Sequence, residues 1–209
     1  ASPSGSASNA PRQRVVVAFL GDDYTSGVGA TSAPGRTTTI VCAALGVTEA
    51  NFGVAGSGYA HLGVAGNYAS RIDQVVLAAP DVVVLSGGRN DIDSNLDTVA
   101  INAHAVFETL HQRLPNAVLV AVAPWWGDSA PRRALATIAV SIRQAVEAVG
   151  GTYLALPDPL LGHPGFMADQ ADPNNSGYAA IAAALGPKLR PLIPRPGNGT
   201  ASRSTSTSS

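Results

Sequence analysis

The chain has 209 residues, 45% apolar and 13% charged, which suits one globular domain with a core of its own. Lys and Arg total 13 against 14 acids, a net charge of −1, so no basic face for a nucleic acid is expected. The single cysteine, Cys42, excludes a disulfide within the chain, and no apolar run is long enough to span a membrane.

The flanks 1–11 (ASPSGSASNAP) and 194–209 (PRPGNGTASRSTSTSS) are rich in Ser, Pro, Gly, Thr and Ala and are expected to be disordered. They frame one domain over residues 12–193. Its first element, Arg14–Leu20 (RVVVAFL), reads as a buried parallel strand. Gly21-Asp22-Asp23-Tyr24-Thr25-Ser26-Gly27 then enters a helix through a small-residue turn. Either acid could cap that helix. Two adjacent acids at the carboxyl end of a strand, where open α/β sheets bind ligands, make a candidate site.

Thr37–Leu45 is helical in pattern and stops at Gly46; Cys42 lies on its apolar face and is expected to be a buried small hydrophobe. A short strand, Ala50–Val54, runs into a glycine-rich loop, Gly53–Tyr59. A helix over Arg71–Ala79 ends at Pro80, and Asp81–Ser86 (DVVVLS) is a strand opening into Gly87-Gly88-Arg89-Asn90-Asp91. Leu96–Leu114 has helical periodicity up to Pro115, and carries His104 and His111 as surface or packing residues. Ala117–Val122 is the fourth strand, followed by Pro124-Trp125-Trp126-Gly127-Asp128. Pro131–Val149 is a helix with Pro in its first turn and Gly150 beyond its end. Thr152–Leu156 is the fifth strand, and the Ala-rich Ser176–Leu192 the last helix.

Strands alternating with helices imply a five-stranded parallel sheet covered on both faces, an α/β/α sandwich. Eight of the fourteen acids (Asp22, Asp23, Asp91, Asp93, Asp128, Asp158, Asp169 and Asp172) fall on loops that follow strands. Such loops share one edge of the sheet, so the acids can converge on one cleft.

Four of these loops together resemble the sequence blocks of the SGNH (GDSL) hydrolase superfamily. Gly21-Asp22-Asp23-Tyr24-Thr25-Ser26-Gly27 resembles its Gly-Asp-Ser block, and Asn51-Phe52-Gly53-Val54-Ala55-Gly56 its second block, placing Gly56 as the oxyanion glycine. Gly88-Arg89-Asn90-Asp91 matches Gly-x-Asn-Asp, placing Asn90 as the oxyanion asparagine. Asp169-Gln170-Ala171-Asp172-Pro173-Asn174, followed by Gly177-Tyr178, matches the Asp-x-x-His-Pro-Asn block. The resemblance spans about residues 12–192 and implies the SGNH-hydrolase (flavodoxin-like) fold.

Two departures carry the functional argument. Asp23 stands where the family has its nucleophilic serine, and Asp172 where it has its base histidine. An Asp has no hydroxyl, and a carboxyl with a pKa of about 3.9 is too acidic to serve as an imidazole near 6.5. Ester hydrolysis by the family route is therefore not expected. A displaced version, with Ser26 as nucleophile and His163-Pro164 as the His-Pro element, lacks its acid, because Leu160 stands three residues before His163.

Two carboxylates face to face suit another chemistry. With carboxyl carbons about 5–7 Å apart they fall near the spacing of glycosidase acid pairs. Their repulsion of about 3 kcal/mol at an effective dielectric near 20 would raise one of them to about 6. One carboxylic acid beside one carboxylate is what glycoside hydrolysis needs. Asp23 and Asp172 are thus the expected acid and base or nucleophile, with Asp169 orienting Asp172 or taking a third catalytic role. Asp22, Gly56, Asn90, Tyr59, Arg89, Trp125 and Trp126 are the expected substrate-binding residues, with Gly56 and Asn90 holding sugar hydroxyls. The tryptophans suit stacking on a pyranose, although one of the two is expected in the core. His61 and Asp128 are further polar groups for the cleft.

The Asp-for-Ser pattern and an Arg-over-Lys, Ala/Gly-rich composition also resemble endomannosidases acting on partly O-methylated α-1,4-mannan. That resemblance implies an endo-acting enzyme on an α-mannan-type polysaccharide, with a polysaccharide or oligosaccharide as partner and no cofactor. Two rivals stay open. One is an inactive SGNH-like protein that binds a glycan or acyl chain. The other is a Ca²⁺ or Mg²⁺ site built from Asp22, Asp23, Asp169 and Asp172. Localisation is also open between an exported mature form, which the missing initiator Met and the flanking tails suggest, and the cytoplasm, which the endomannosidase resemblance implies.

Overall fold

The computed structural model describes residues 14–195. The expected disordered segments, 1–11 and all but the first two residues of 194–209, lie outside the described residues. Five strands, β1 (Val16–Gly21), β2 (Thr48–Gly53), β3 (Val82–Ser86), β4 (Val118–Val122) and β5 (Thr152–Leu154), form one parallel sheet in the order β2-β1-β3-β4-β5. Their apolar runs are nearly continuous because both faces are covered. Val17 and Phe19 of β1, with Val82 and Val84 of β3, pack on one side; Ala18, Leu20, Val83 and Leu85 pack on the other.

Six helices surround the sheet: α1 (Asp23–Ser26), α2 (Thr37–Leu45), α3 (Ile72–Leu77), α4 (Leu96–Arg113), α5 (Arg133–Ala148) and α6 (Asn175–Leu189). Helices α2 and α6 cover the first face through Val41, Cys42, Tyr178, Ile181 and Leu185. Helices α3, α4 and α5 cover the second, with Val99, Ala103, Val106, Phe107 and Leu110 forming the stripe of α4. Asn95 caps α4 by accepting from Thr98 N–H at 3.0 Å, and Asn174 caps α6 through Ser176 and Gly177. Cys42 is buried as expected, and burial pushes its thiol up to about 12. The outcome is the α/β/α sandwich read from the sequence.

Boundaries differ where a local constraint outweighs the pattern. Strand β1 runs one residue further, through Gly21, where a Cβ would fall 2.0 Å from Thr25 Oγ1 and 2.3 Å from the Ser86 carbonyl. Helix α3 stops at Leu77, and Ala79 takes φ of 45° ahead of Pro80, which bars the residue before it from the helical region. At the last helix, Pro191 turns the end of the predicted segment into a 3-10 turn, Arg190–Leu192.

The register aligns Gly21 with Gly53 and with Ser86, Ser86 with Val122, and Val122 with Leu154. Every loop that follows a strand therefore leaves from the same edge. Connections diverge from β1, to β2 on one side and β3 on the other, which is the switch point where this class of sheet binds its ligands. The loops after β1, β2 and β3 meet there.

Candidate active site

Asp22 and Asp23 leave the tip of β1 in different directions. Asp22 is 4% exposed and caps α1, its Oδ1 accepting the Tyr24 N–H at 3.2 Å. Its Oδ2 lies 3.5 Å from the Tyr68 hydroxyl. Burial, reinforced by the charge of Asp23, pushes the Asp22 carboxyl up to about 7. Asp22 is thus a buried capping acid, and it lines a small pocket beside Asp23 together with Arg89 and Trp125. A Cβ on Gly87, which has φ of 144°, would fall 2.6 Å from Asp22 Oδ2, so the β3 loop passes close only because it is glycine there.

Asp23 turns toward the cleft. Its Oδ2 accepts the Gly56 N–H at 2.9 Å and Asn90 Nδ2 at 2.8 Å. These are the two donors expected to hold sugar hydroxyls; a carboxylate in reach is the stronger acceptor and takes both. Asn90 Nδ2 also donates to the Ser57 carbonyl at 3.0 Å, which ties the β3 loop to the loop after β2. That second loop is shaped by Asp91, fully buried, whose carboxylate accepts the N–H groups of Tyr59, Ala60 and His61, each at 2.8 Å. His61 reaches back from the same turn, its Nδ1 lying 2.6 Å from the Gly56 carbonyl. Arg71, 3% exposed, completes the support by donating to the carbonyls of Gly21 and Phe52 and to Ser57 Oγ.

Asp172 approaches from the segment before α6. It is 8% exposed, and its Oδ1 is buried without a hydrogen-bond partner among the described residues. Burial first, then the charges of Asp23 and Asp169, push its carboxyl up to about 6, with Arg89 pulling the other way. Burial contributes more to this rise than repulsion between the two acids, the cause expected from the sequence. Asp169 is exposed, and its Oδ1 accepts the N–H groups of Ala171 and Asp172 at 2.7 and 2.8 Å. Those backbone donors hold its carboxyl below the ordinary range. It orients the Asp172 backbone, as a turn-forming Asx residue does.

Asp23 and Asp172 line one cleft of about 290 Å³ with Arg89, Asn90, Ile92, Asp93, Trp126 and Ala171. Arg89 lies between Tyr24 and Trp126, its guanidinium 5.6 and 5.3 Å from their ring centres. Its Nη1 donates to the Ala171 carbonyl at 2.7 Å, and the Tyr24 hydroxyl reaches the same oxygen at 3.0 Å. The Trp126 loop is fixed by Asp158, whose Oδ2 accepts the N–H groups of Trp126 and Gly127. Trp126 is half-buried, whereas Trp125 is 5% exposed and packs in the core, the division expected of the pair.

Tyr59 corrects the sequence reading. It is 1% exposed and packs edge-on against Tyr68, 4.8 Å between ring centres, so it supports the core and does not line the cleft. Ser26 donates to the Asp23 carbonyl, and the His163 ring stacks on Phe166. The aspartates proposed as a cation cage do not gather: among the described residues no three His, Cys, Asp or Glu side chains are placed to hold a metal ion. Nor is any described helix long and apolar enough to cross a membrane. Sequence reasoning missed the supporting roles of Asp91, Arg71 and Tyr24. Only Asp91 carried a signal, as the residue after Asn90 in the third block.

The family known as GDSL-like Lipase/Acylhydrolase matches residues 19–180. No curated protein matches the chain by sequence. Among solved structures, the lipase/acylhydrolase from Enterococcus faecalis is similar at 20% identity and a TM-score of 0.68, over 87% of this chain and 98% of its own. A family two carbohydrate esterase from Clostridium thermocellum, in complex with cellohexaose, is similar at 14% identity and a TM-score of 0.69, over 88% of this chain and 66% of its own. An acetyl xylan esterase from Butyrivibrio proteoclasticus is similar at 16% identity and a TM-score of 0.70, again over 88% and 66%.

Proposed function

The chain belongs to the GDSL-like lipase/acylhydrolase family, and from that premise we propose that it is a glycoside hydrolase with an aspartate pair at the positions that the sequence resemblance gives to serine and histidine. One observation carries the reading. Asp23 places a carboxylate oxygen on the donors of Gly56 and Asn90, in the same cleft as an Asp172 whose carboxyl is pushed up to about 6. An esterase needs those two donors free for a developing oxyanion.

The roles follow from the environments. Asp172 gives its proton to the glycosidic oxygen as the bond from the anomeric carbon breaks. Asp23, held by two N–H donors, either takes a proton from the attacking water or attacks the anomeric carbon to form a glycosyl ester, which water, giving its proton to Asp172, then hydrolyses to free Asp23. The products are two shorter chains, one with a new reducing end. Asp169 shapes the Asp172 turn and is not a third catalytic group in this account. Trp126 offers an aromatic face to a sugar ring at the mouth of the cleft.

A carbohydrate substrate is supported by the cellohexaose-bound esterase and the acetyl xylan esterase among the similar structures. The endo-acting reading on an α-mannan-type polysaccharide, including O-methylated chains, rests on the sequence resemblance. Reducing-end release from a panel of α-mannans, methylated mannan and β-glycans tests it, with acetylated glycans and short-chain esters assayed alongside. New reducing ends without acid release support glycoside hydrolysis.

Ester hydrolysis by a displaced nucleophile, Ser26 with His163, is the second reading, favoured by the esterases among the similar structures. Acid release without new reducing ends would establish ester hydrolysis, and its loss in Ser26→Ala would assign the nucleophile. Binding of a glycan without either product would leave an inactive binding protein.

A further inference from the structure

The segment that carries Asp172 has an anchor that the acid-pair chemistry does not use. The carbonyl of Ala171, one residue before Asp172, accepts from two side chains on other elements, Arg89 Nη1 at 2.7 Å and the Tyr24 hydroxyl at 3.0 Å. Each donor is a chain neighbour of the opposite carboxylate or of a group that holds it. Tyr24 follows Asp23, and Arg89 precedes Asn90, whose Nδ2 holds Asp23. The guanidinium is kept in place between the rings of Tyr24 and Trp126. We propose that Tyr24 and Arg89 are positioning residues for the acid pair, clasping the Ala171 carbonyl and so setting where Asp172 stands opposite Asp23. The inference rests on the acid-pair reading of this site.

Local bonds alone do not set that place. Asp169 fixes the shape of the turn through the N–H groups of Ala171 and Asp172, and Ala168 N–H donates to the Asp172 carbonyl. All of these lie within the segment itself. The clasp ties it to α1 and to the β3 loop, the two elements that hold Asp23. A misplacement of about 1 Å between reacting groups costs on the order of a hundredfold in rate, so a rigid link across the cleft matters to the chemistry.

Arg89 also acts through its charge. Asp23 and Tyr24 face Asp172 from α1, Asp169 from its own turn, Tyr178 from α6 and Arg89 from the β3 loop. Among the described residues Arg89 is the cation that offsets burial and the two aspartates. Burial pushes the Tyr24 phenol well above its usual value, so it is a neutral donor throughout the working range. Arg89 thus contributes placement and charge, and Tyr24 placement alone.

Carboxyl ¹³C NMR titration of Asp172 in the full chain separates the two. Arg89→Met raises the Asp172 midpoint by about one pH unit, Arg89→Lys leaves it within about 0.3, and Tyr24→Phe leaves it unchanged while moving the Ala171 carbonyl resonance. With a cleaved glycan, Tyr24→Phe lowers kcat about tenfold at near-constant KM. An unmoved midpoint in Arg89→Met, or an unmoved Ala171 resonance in Tyr24→Phe, overturns the proposal. If Arg89→Met fails to fold, Arg89→Gln replaces it, with the same shift expected. The titration needs no substrate. If no glycan is cut but both NMR changes occur, the clasp stands and the glycosidase reading falls.

Discussion

Replacing Asp91 by Ala tests how the site is supported. The carboxylate accepts three backbone N–H groups at 2.8 Å, and each orphaned N–H costs about 1–3 kcal/mol when water cannot reach it. Tyr59 is buried, but Ala60 is half-buried and His61 exposed, so water can replace two of the three partners at reduced cost. Removing a buried charge also recovers part of its desolvation penalty. The net loss worked from this geometry is about 3 kcal/mol. Asp91→Asn, which keeps one acceptor oxygen and turns an NH₂ toward the same donors, should lose about 2 kcal/mol. Equilibrium urea unfolding of the full chain measures both. The loop released is the one that aims the Gly56 N–H at Asp23, so turnover at fixed substrate should fall in both variants while they remain folded. A loss below about 1 kcal/mol in Asp91→Ala would refute the claim that this carboxylate organises the loop.

Four further predictions rest on the same structure. The folded-state pKa of Asp22 is raised to about 7, so the folded protein binds more protons than the unfolded chain between about pH 4 and 7. Its contribution to stability is present below about pH 4 and is lost as pH rises through 7. Asp22→Asn, which still caps α1, should flatten that slope and gain roughly 2 kcal/mol at pH 8, read by urea unfolding across pH. Because Asp172 must hold a proton to act as the acid, kcat/KM on a cleaved glycan should fall above about pH 6. Trp126→Ala should raise KM about tenfold and, because the ring also holds the Arg89 guanidinium, lower kcat several-fold as well, read by steady-state kinetics. Trp125→Phe should cost under about 1.5 kcal/mol in urea unfolding, because its indole N–H has no partner to lose among the described residues.

The sheet was legible because strands covered on both faces leave apolar runs that few other elements produce, as in Asp81–Ser86 and Arg14–Leu20. That Asp23 and Asp172 share one cleft was legible because both sit in recognisable blocks at the ends of the domain. What those side chains touch was not. The Gly56 and Asn90 donors were expected to meet sugar hydroxyls, and only the folded geometry shows a carboxylate already in their reach. Tyr59 lies two residues from the exposed part of its loop, and no periodicity tells which way a single loop aromatic turns. Arg71 read as the first residue of an ordinary helix. Its burial depends on four carbonyls and a hydroxyl from segments up to 50 positions away, a pattern with no trace in local sequence.

The central claim is that Asp23 and Asp172 divide base and acid between them. Its most direct measurement is single-turnover cleavage of the glycan that the unaltered protein cuts, compared with Asp23→Asn and Asp172→Asn, each shown folded by its thermal transition. The account predicts a loss of at least a thousandfold in both variants, with Asp172→Asn also losing the decline above about pH 6. Retained cleavage in either folded variant would contradict it.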